Sequence, residues 1–262
     1  MKNFIHRFRT YILYLLNAKN EHSLHSPFVY ELYTEVIKTY KEYYAFEAIE
    51  NLRQVLANDS RKITVYDFGA KKNNNGSYSK KIRNIVLTSE KNSKTAAMLF
   101  RVVHFLKPKI VIDLGTSLGL TTAYLASAHS KADVYTFEGC KNTLQLAKEN
   151  FIKLNLKNIH PIAGNIDQTL APTLSKFSKI DFVFFDANHR YQATMDYFNL
   201  CLNKSDENTV FVLDDIYWSP QMTKAWKEII QDPRVTLSID LYELGMLFFR
   251  KKQPKQHFVL RW

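Results

Sequence analysis

The chain has 262 residues, 46% of them hydrophobic, so it can bury a full core as one domain with at most an appended subdomain. No apolar run approaches the ~18 residues of a membrane span, and two cysteines, Cys140 and Cys201, supply neither a disulfide framework nor metal-ligand spacing. The net charge of +11 is uneven: residues 61–109 carry twelve basic groups against two acidic, whereas residues 110–249 carry twelve against sixteen. Such asymmetry suits an anionic substrate, nucleic acid or a membrane surface, or is simply a solvated face. With no small-residue cleavage site after the N-terminal apolar patch, the reading is a reduced, cytoplasmic protein.

Residues 1–60 read as helices. Phe4, Ile5, Phe8, Tyr11, Ile12, Leu15 and Leu16 recur at helical spacing. Ser26 and Pro27 suit the cap and first turn of a second helix, which would bury Phe28, Leu32 and Val36. Glu47 to Leu56 reads as a third helical stretch. Residues 62–68 form a strand-like run, followed by Gly69 and the polar loop Lys71 to Ser77. Asp67-Phe68-Gly69 lacks a glycine partner and a following helix, and is taken as a loop. A helix over Lys94 to Leu106 then leads, past Pro108, into the first core strand.

From residue 110 the pattern becomes regular. Strand-like runs at 110–114, 133–138, 158–163, 180–186 and 208–214 alternate with helices near 120–129, 141–154, 168–176, 190–203 and 220–231. Alternation of this kind predicts parallel strands with helices on both faces. The last two runs, 235–241 and 244–250, are separated by a few residues including Gly245, and should form an antiparallel hairpin at the sheet edge. The expected fold is α/β: a Rossmann-like, doubly wound, mostly parallel seven-stranded sheet with a helical N-terminal extension. The division expected is a mainly helical extension with a basic loop over 1–92 and a cofactor-binding domain over 93–262.

The most informative segment is Asp113-Leu-Gly-Thr-Ser-Leu-Gly119, which joins the run Ile110-Val-Ile112 to the helix beginning near Leu120. Glycines let a backbone approach a ligand, and a helix N-terminus offers unpaired N–H groups. A dinucleotide turn wants G-x-G-x-x-G. Here Ser117 takes the place of the middle glycine and an acid precedes the turn. That arrangement suits a cationic cofactor better than a pyrophosphate. Ligands in open α/β sheets sit beyond the carboxyl ends of the strands, and those ends carry Asp113, Glu138, Gly164-Asn165, Asp186 and Asp214-Asp215. Glu138 lies one βαβ step past the turn, where a carboxylate receives two ribose hydroxyls.

Val111 to Thr122, Thr136-Phe-Glu-Gly139, Ile180 to Tyr191 and Val212 to Tyr217, with the terminal hairpin, resemble the class I S-adenosylmethionine-dependent methyltransferases. The likeness is strongest to the catechol and caffeoyl-CoA O-methyltransferases and related bacterial enzymes, and covers about residues 93–250. The resemblance implies that Gly115, Thr116, Ser117 and Gly119, with Asp113, bound the methionine part of S-adenosylmethionine (SAM). Glu138 would hold the ribose, and Asn165 would lie near the adenine. In the metal-dependent members, acids ending the fourth and fifth strands bind a divalent cation; the matching positions are Asp186, Asp214 and Asp215, and oxygen ligands there suit Mg²⁺.

Two departures stand out. Asp215 replaces the usual Asn, and His189 replaces the catalytic lysine. His189, an imidazole able to take a proton from a hydroxyl, is the candidate base beside Asp186; its bland reading is a loop histidine capping the next helix. The resulting expectation is O-methylation of a small or anionic acceptor. The alternatives are a binding module for nucleic acid or membrane that keeps the fold without turnover, and, more weakly, an NAD-linked oxidoreductase. Lys71, Lys72, Lys80, Lys81 and Arg83 could follow a phosphate backbone. The N-terminal helix, with Lys2, Arg7 and Arg9, fits a lid or homodimer arm, or a membrane surface.

Overall fold

The computed structural model describes residues 2–66, 77–251 and 253–262. Asp67-Phe68-Gly69, Lys71 and Lys72 lie outside the described residues. The helices are α1 (Lys2–Asn17), α2 (Pro27–Leu32), α3 (Tyr44–Ala57), α4 (Ile82–Ser89), α5 (Ser93–Leu106), α6 (Leu120–Ala128), α7 (Lys141–Lys153), α8 (Ile166–Leu174), α9 (Tyr191–Leu202) and α10 (Pro220–Ile229). The strands are β1 (Lys62–Tyr66), β2 (Ser77–Lys81), β3 (Ile110–Leu114), β4 (Asp133–Glu138), β5 (Ile159–Ala163), β6 (Phe182–Phe185), β7 (Val210–Asp214), β8 (Leu237–Asp240), β9 (Leu244–Phe248) and β10 (Gln256–Val259). Two compact units result, one of residues 39–170 and the other of residues 1–38 with 171–262.

In the unit of residues 39–170, β3, β4 and β5 are parallel neighbours, with Ile110 opposite Asp133 and Val134 opposite Ile159. Helix α6 shows no single apolar stripe because it is buried on nearly every side: of Leu120 to Ala128, only Ser127 is half-buried rather than buried. It packs against α5 and α3, where Phe46 meets Phe100 and Tyr124 with ring centroids 4.8 and 5.1 Å apart. Asn92 caps α5 by accepting from Thr95 N–H at 2.8 Å, and Lys107 ends it in a left-handed conformation just before Pro108. Strands β1 and β2 pair as a separate antiparallel hairpin.

In the other unit, β6 and β7 are parallel, β7 and β9 antiparallel, and β8 and β9 antiparallel. The hairpin is present, but it is not the sheet edge. Strand β10 adds to β8 in parallel, making an eight-stranded, mostly parallel sheet rather than a seven-stranded one. Its alternating Gln256-His-Phe-Val259 is too short to register as a strand before it is paired. Gly245 lies inside β9 rather than in the connection, and its reason is packing: a Cβ there would stand 2.5 Å from the Trp226 ring.

Ser26 does cap α2, accepting from Val29 N–H, but the helix widens to π geometry over Tyr33–Ile37. Val29, Leu32, Val36 and Ile37 are buried there, whereas Phe28 is half-buried, edge-on to Phe248. Helix α1 turns its apolar side outward. Phe4, Ile5, Phe8, Ile12, Leu15 and Leu16 are exposed, and the packed side is the polar one. No helix among the described residues is long and apolar enough to cross a membrane, and both cysteines are free and buried.

Candidate functional site

The turn after β3 is held by hydrogen bonds from three directions. Gly115 and Thr116 N–H both donate to the Phe137 carbonyl, at 3.2 and 3.0 Å, which ties the turn to the end of β4. Ser117 N–H donates to Glu138 Oε2 at 2.9 Å, and Leu118 N–H to Glu90 Oε1 at 2.6 Å. Asn150 on α7 donates to the Leu118 carbonyl at 2.9 Å. Gly115, Ser117 and Gly119 all have positive φ, at 117°, 50° and 84°. Ser117 thus takes a glycine-like conformation that strains a side-chain-bearing residue. Gly119 is demanded twice, because a Cβ would also stand 2.4 Å from the Phe151 ring.

Asp113 lies beneath the turn, not on its surface. It is fully buried, and its Oδ2 accepts from Thr122 at 2.6 Å and Thr136 at 2.8 Å. Its Oδ1 is buried with no protein partner among the described residues. Burial raises its pKa to about 6, against the opposing hydrogen bonds from the two threonines. The Thr116 hydroxyl joins this buried network, 2.6 Å from Thr136 Oγ1, so only the backbone of Thr116 is left for a ligand. Glu138 Oε1 accepts from Cys140 N–H at 2.8 Å, and burial pushes its pKa up. Asn165 opens α8: its Oδ1 accepts from Asp167 N–H at 3.1 Å, a local turn that occupies the side-chain oxygen.

Glu90 is a functional candidate that the sequence reading missed. Burial raises its pKa to about 7, although Ser117 and the Leu118 and Leu120 amides donate to it and Arg53 lies nearby. A lone glutamate between two helices carries no motif; only its reach to the N-terminal end of α6 identifies it.

The unit of residues 1–38 and 171–262 holds the second set. The ligand atoms of Asp186, His189 and Asp214 lie within 4.8 Å of one another. His189 Nε2 stands 3.7 Å from Asp186 Oδ1 and 3.8 Å from Asp215 Oδ2. The converging trio is therefore two acids and the histidine, with Asp215 near the same imidazole nitrogen. Asn188 and Asp215 both have left-handed backbones, φ 52° and 56°, so strain brackets the cluster on two loops. Asn188 is fixed by Arg190 Nε on its Oδ1 at 2.6 Å, and Tyr191 by donation to Glu228 on α10. The N-cap of α9 is Arg190, the residue after His189.

Residues 112–216 match the profile of a family described as a methyltransferase domain. Among solved structures, the chain is similar to the O-methyltransferase from Bacillus cereus in complex with S-adenosylhomocysteine (SAH), at 16% identity and a TM-score of 0.57, covering 84% of this chain and 96% of that one. It is also similar to the O-methyltransferase TomG of Streptomyces achromogenes, involved in tomaymycin synthesis and in complex with SAM, at 16% identity, TM-score 0.56 and coverages of 85% and 95%. An SAH-bound methyltransferase from Podospora anserina matches at 16% identity and TM-score 0.56, over 62% of this chain and 80% of that one. An uncharacterised protein of Acanthamoeba polyphaga mimivirus is 32% identical over 92 residues, 32% of this chain and 42% of that protein's length. Residues 112–216 are thus similar to a methyltransferase domain, and the chain shares the fold of these solved methyltransferase structures.

Proposed function

We propose that this protein is a cytoplasmic enzyme that transfers a methyl group from SAM to an oxygen of a small or anionic acceptor. The observation that carries the reading is the turn from Asp113 to Gly119, with its run of positive φ, its acid below and Glu138 beside it. Residues 93–262 are read as the cofactor-binding domain, with residues 1–92 as an extension. The orphaned Asp113 Oδ1 beneath the turn fits a cationic ligand overhead and disfavours a pyrophosphate, which also argues against an NAD-linked oxidoreductase. Gly115, Thr116, Ser117 and Gly119 would bound the amino-acid part through their backbones, with Asp113 acting through the threonines. Glu138 would take the ribose hydroxyls, and Asn165 would border the adenine. When bound, SAM supplies a methyl group on an electrophilic sulfonium.

On the acceptor side, His189 is the proton acceptor. A proton taken onto its Nε2 sits between Asp186 and Asp215, whose charges favour it there. Asp186 also orients the imidazole from the end of β6. Two carboxylates and an imidazole form a donor set that fits Mg²⁺, Mn²⁺ or a related divalent ion, held by Asp186 and Asp214 with His189 or Asp215. Such an ion would lower the pKa of an acceptor hydroxyl.

Calorimetry with SAH tests the cofactor reading. Micromolar-range binding is expected, lost in Glu138→Ala; no heat with the folded protein overturns it. Excess chelator separates the two acceptor-side readings: abolished turnover assigns the proton loss to an ion, and unchanged turnover assigns it to His189 alone.

A further inference from the structure

Helix α1 packs the opposite way round from an ordinary surface helix. Its inward side is polar. His6 Nε2 lies 2.8 Å from Thr223 Oγ1, the Tyr14 hydroxyl donates to the Leu260 carbonyl at 2.6 Å, and the Tyr242 hydroxyl donates to the Arg7 carbonyl at 2.8 Å. The Arg7 guanidinium stacks 4.6 Å over the Trp218 ring. At ~100° per residue, Phe4, Leu15, Phe8, Ile12, Ile5 and Leu16 follow one another across about 120° of the opposite side. All six are at least 41% exposed, and Phe4 and Leu16 reach 75% and 77%. Surface helices turn such a stripe toward the core. This one turns it away, so its partner lies outside the fold.

Charge selects the partner. Residues 1–20 contain Lys2, Arg7, Arg9 and Lys19 and no acid; the first acidic residue is Glu21. Arg9 is exposed and borders the stripe. A second copy of the chain docked helix on helix would set these cations against their own symmetry mates, with no carboxylate on the helix to answer them. An anionic lipid surface supplies both an apolar boundary for the stripe and negative headgroups for the cations.

We propose that α1 is an interfacial anchor that seats this protein on anionic membrane surfaces, its apolar stripe in the headgroup–acyl boundary and its polar side on the protein. The inference is independent of the methyl-transfer reading. The inward contacts keep the helix attached to the fold while the stripe is engaged. Through Trp218, whose N–H donates to the Asp215 carbonyl at 2.9 Å, the anchor rests on the connection leaving β7.

The test is sedimentation of the full chain with vesicles of phosphatidylcholine mixed with phosphatidylserine, and with phosphatidylcholine alone. The wild type is expected to bind the mixed vesicles, more weakly at high salt, and to bind the neutral ones poorly. Phe8→Ser, Ile12→Ser and Leu16→Ser combined should weaken binding at least about tenfold, since each removes buried methylenes. Arg9→Glu should weaken it about fivefold or more through charge alone. Because it removes no apolar contact, it carries the test should the triple variant fold poorly. Wild-type protein left in the supernatant, or variants that bind as the wild type does, would overturn the proposal. So would a wild-type dimer in sedimentation velocity that the triple variant converts to monomer, because a second copy would then cover the stripe.

Discussion

Glu138 accepts a hydrogen bond from the backbone N–H of Ser117 at 2.9 Å, so the end of β4 is clasped to the middle of the turn after β3. The same carboxylate takes Cys140 N–H on its other oxygen. A group proposed to hold the ribose is thus also a strut of the turn that holds the methionine part. Glu138→Gln keeps one acceptor oxygen, whereas Glu138→Ala removes both. SAH affinity should fall about tenfold for the first and a hundredfold or more for the second, since hydrogen bonds to a charged group are worth about 1.5–3 kcal/mol. Equal losses by calorimetry would mean that the strut, not the ribose contact, is what matters.

Gly119 shows how tightly α6 and α7 meet beneath the turn. Gly119→Ala would put a Cβ against Phe151 and force a side-chain residue into φ +84°. The left-handed backbone alone costs about 1–2 kcal/mol and the overpacking about 1–3 more. Urea denaturation should show a destabilisation of about 2–5 kcal/mol, and Phe151→Leu in the same chain should recover part of it. A loss under about 0.5 kcal/mol, the range of an ordinary surface substitution, would contradict the close approach.

Much of this site is readable from residue order alone, because the signals are local. The turn, the acid one βαβ step later and the acids ending β6 and β7 each sit where a strand pattern stops. What escapes is long-range. Glu90 reaches the turn from 28 residues upstream, and nothing at its own position marks it. The replacement of Asp215 by His189 in the converging trio depends on loop conformations that positive φ at Asn188 and Asp215 creates. Helix α1 is open in the sequence for a different reason. Periodicity reports that one side is apolar but not which side faces the protein. Strand β10 is recognisable only once β8 is there to pair with it.

Glu90 gives the turn a pH dependence whose sign follows from its raised pKa, about 7 in the folded chain. A carboxyl whose folded pKa exceeds the unfolded value, near 4.3, favours folding fully below that value. The contribution is then lost as pH rises to 7 and beyond, by at most about 4 kcal/mol. Asp113, raised to about 6, acts in the same direction over a lower window. Glu90→Gln can still accept the Leu118 N–H without ionising. Its melting temperature should match the wild type at pH 5 and exceed it at pH 8. A difference that does not change between these pH values would rule out Glu90 as the titrating group.

The acceptor-side cluster separates two neighbouring aspartates that the sequence cannot rank. Asp214 is 2% exposed and converges with Asp186 and His189, whereas Asp215 lies outside that trio, with its Oδ2 3.8 Å from His189 Nε2. If the trio holds a cation, Mn²⁺ binding followed by calorimetry should be lost in Asp214→Asn and in Asp186→Asn. Asp215→Asn should change it no more than about threefold, the effect of a charge beyond the ligand shell. What Asp215→Asn should lower instead is turnover, because it removes one of the two carboxylates beside His189. Loss of Mn²⁺ binding in Asp215→Asn with retention in Asp214→Asn would reverse the assignment and make the three-acid set implied by the resemblance the better description.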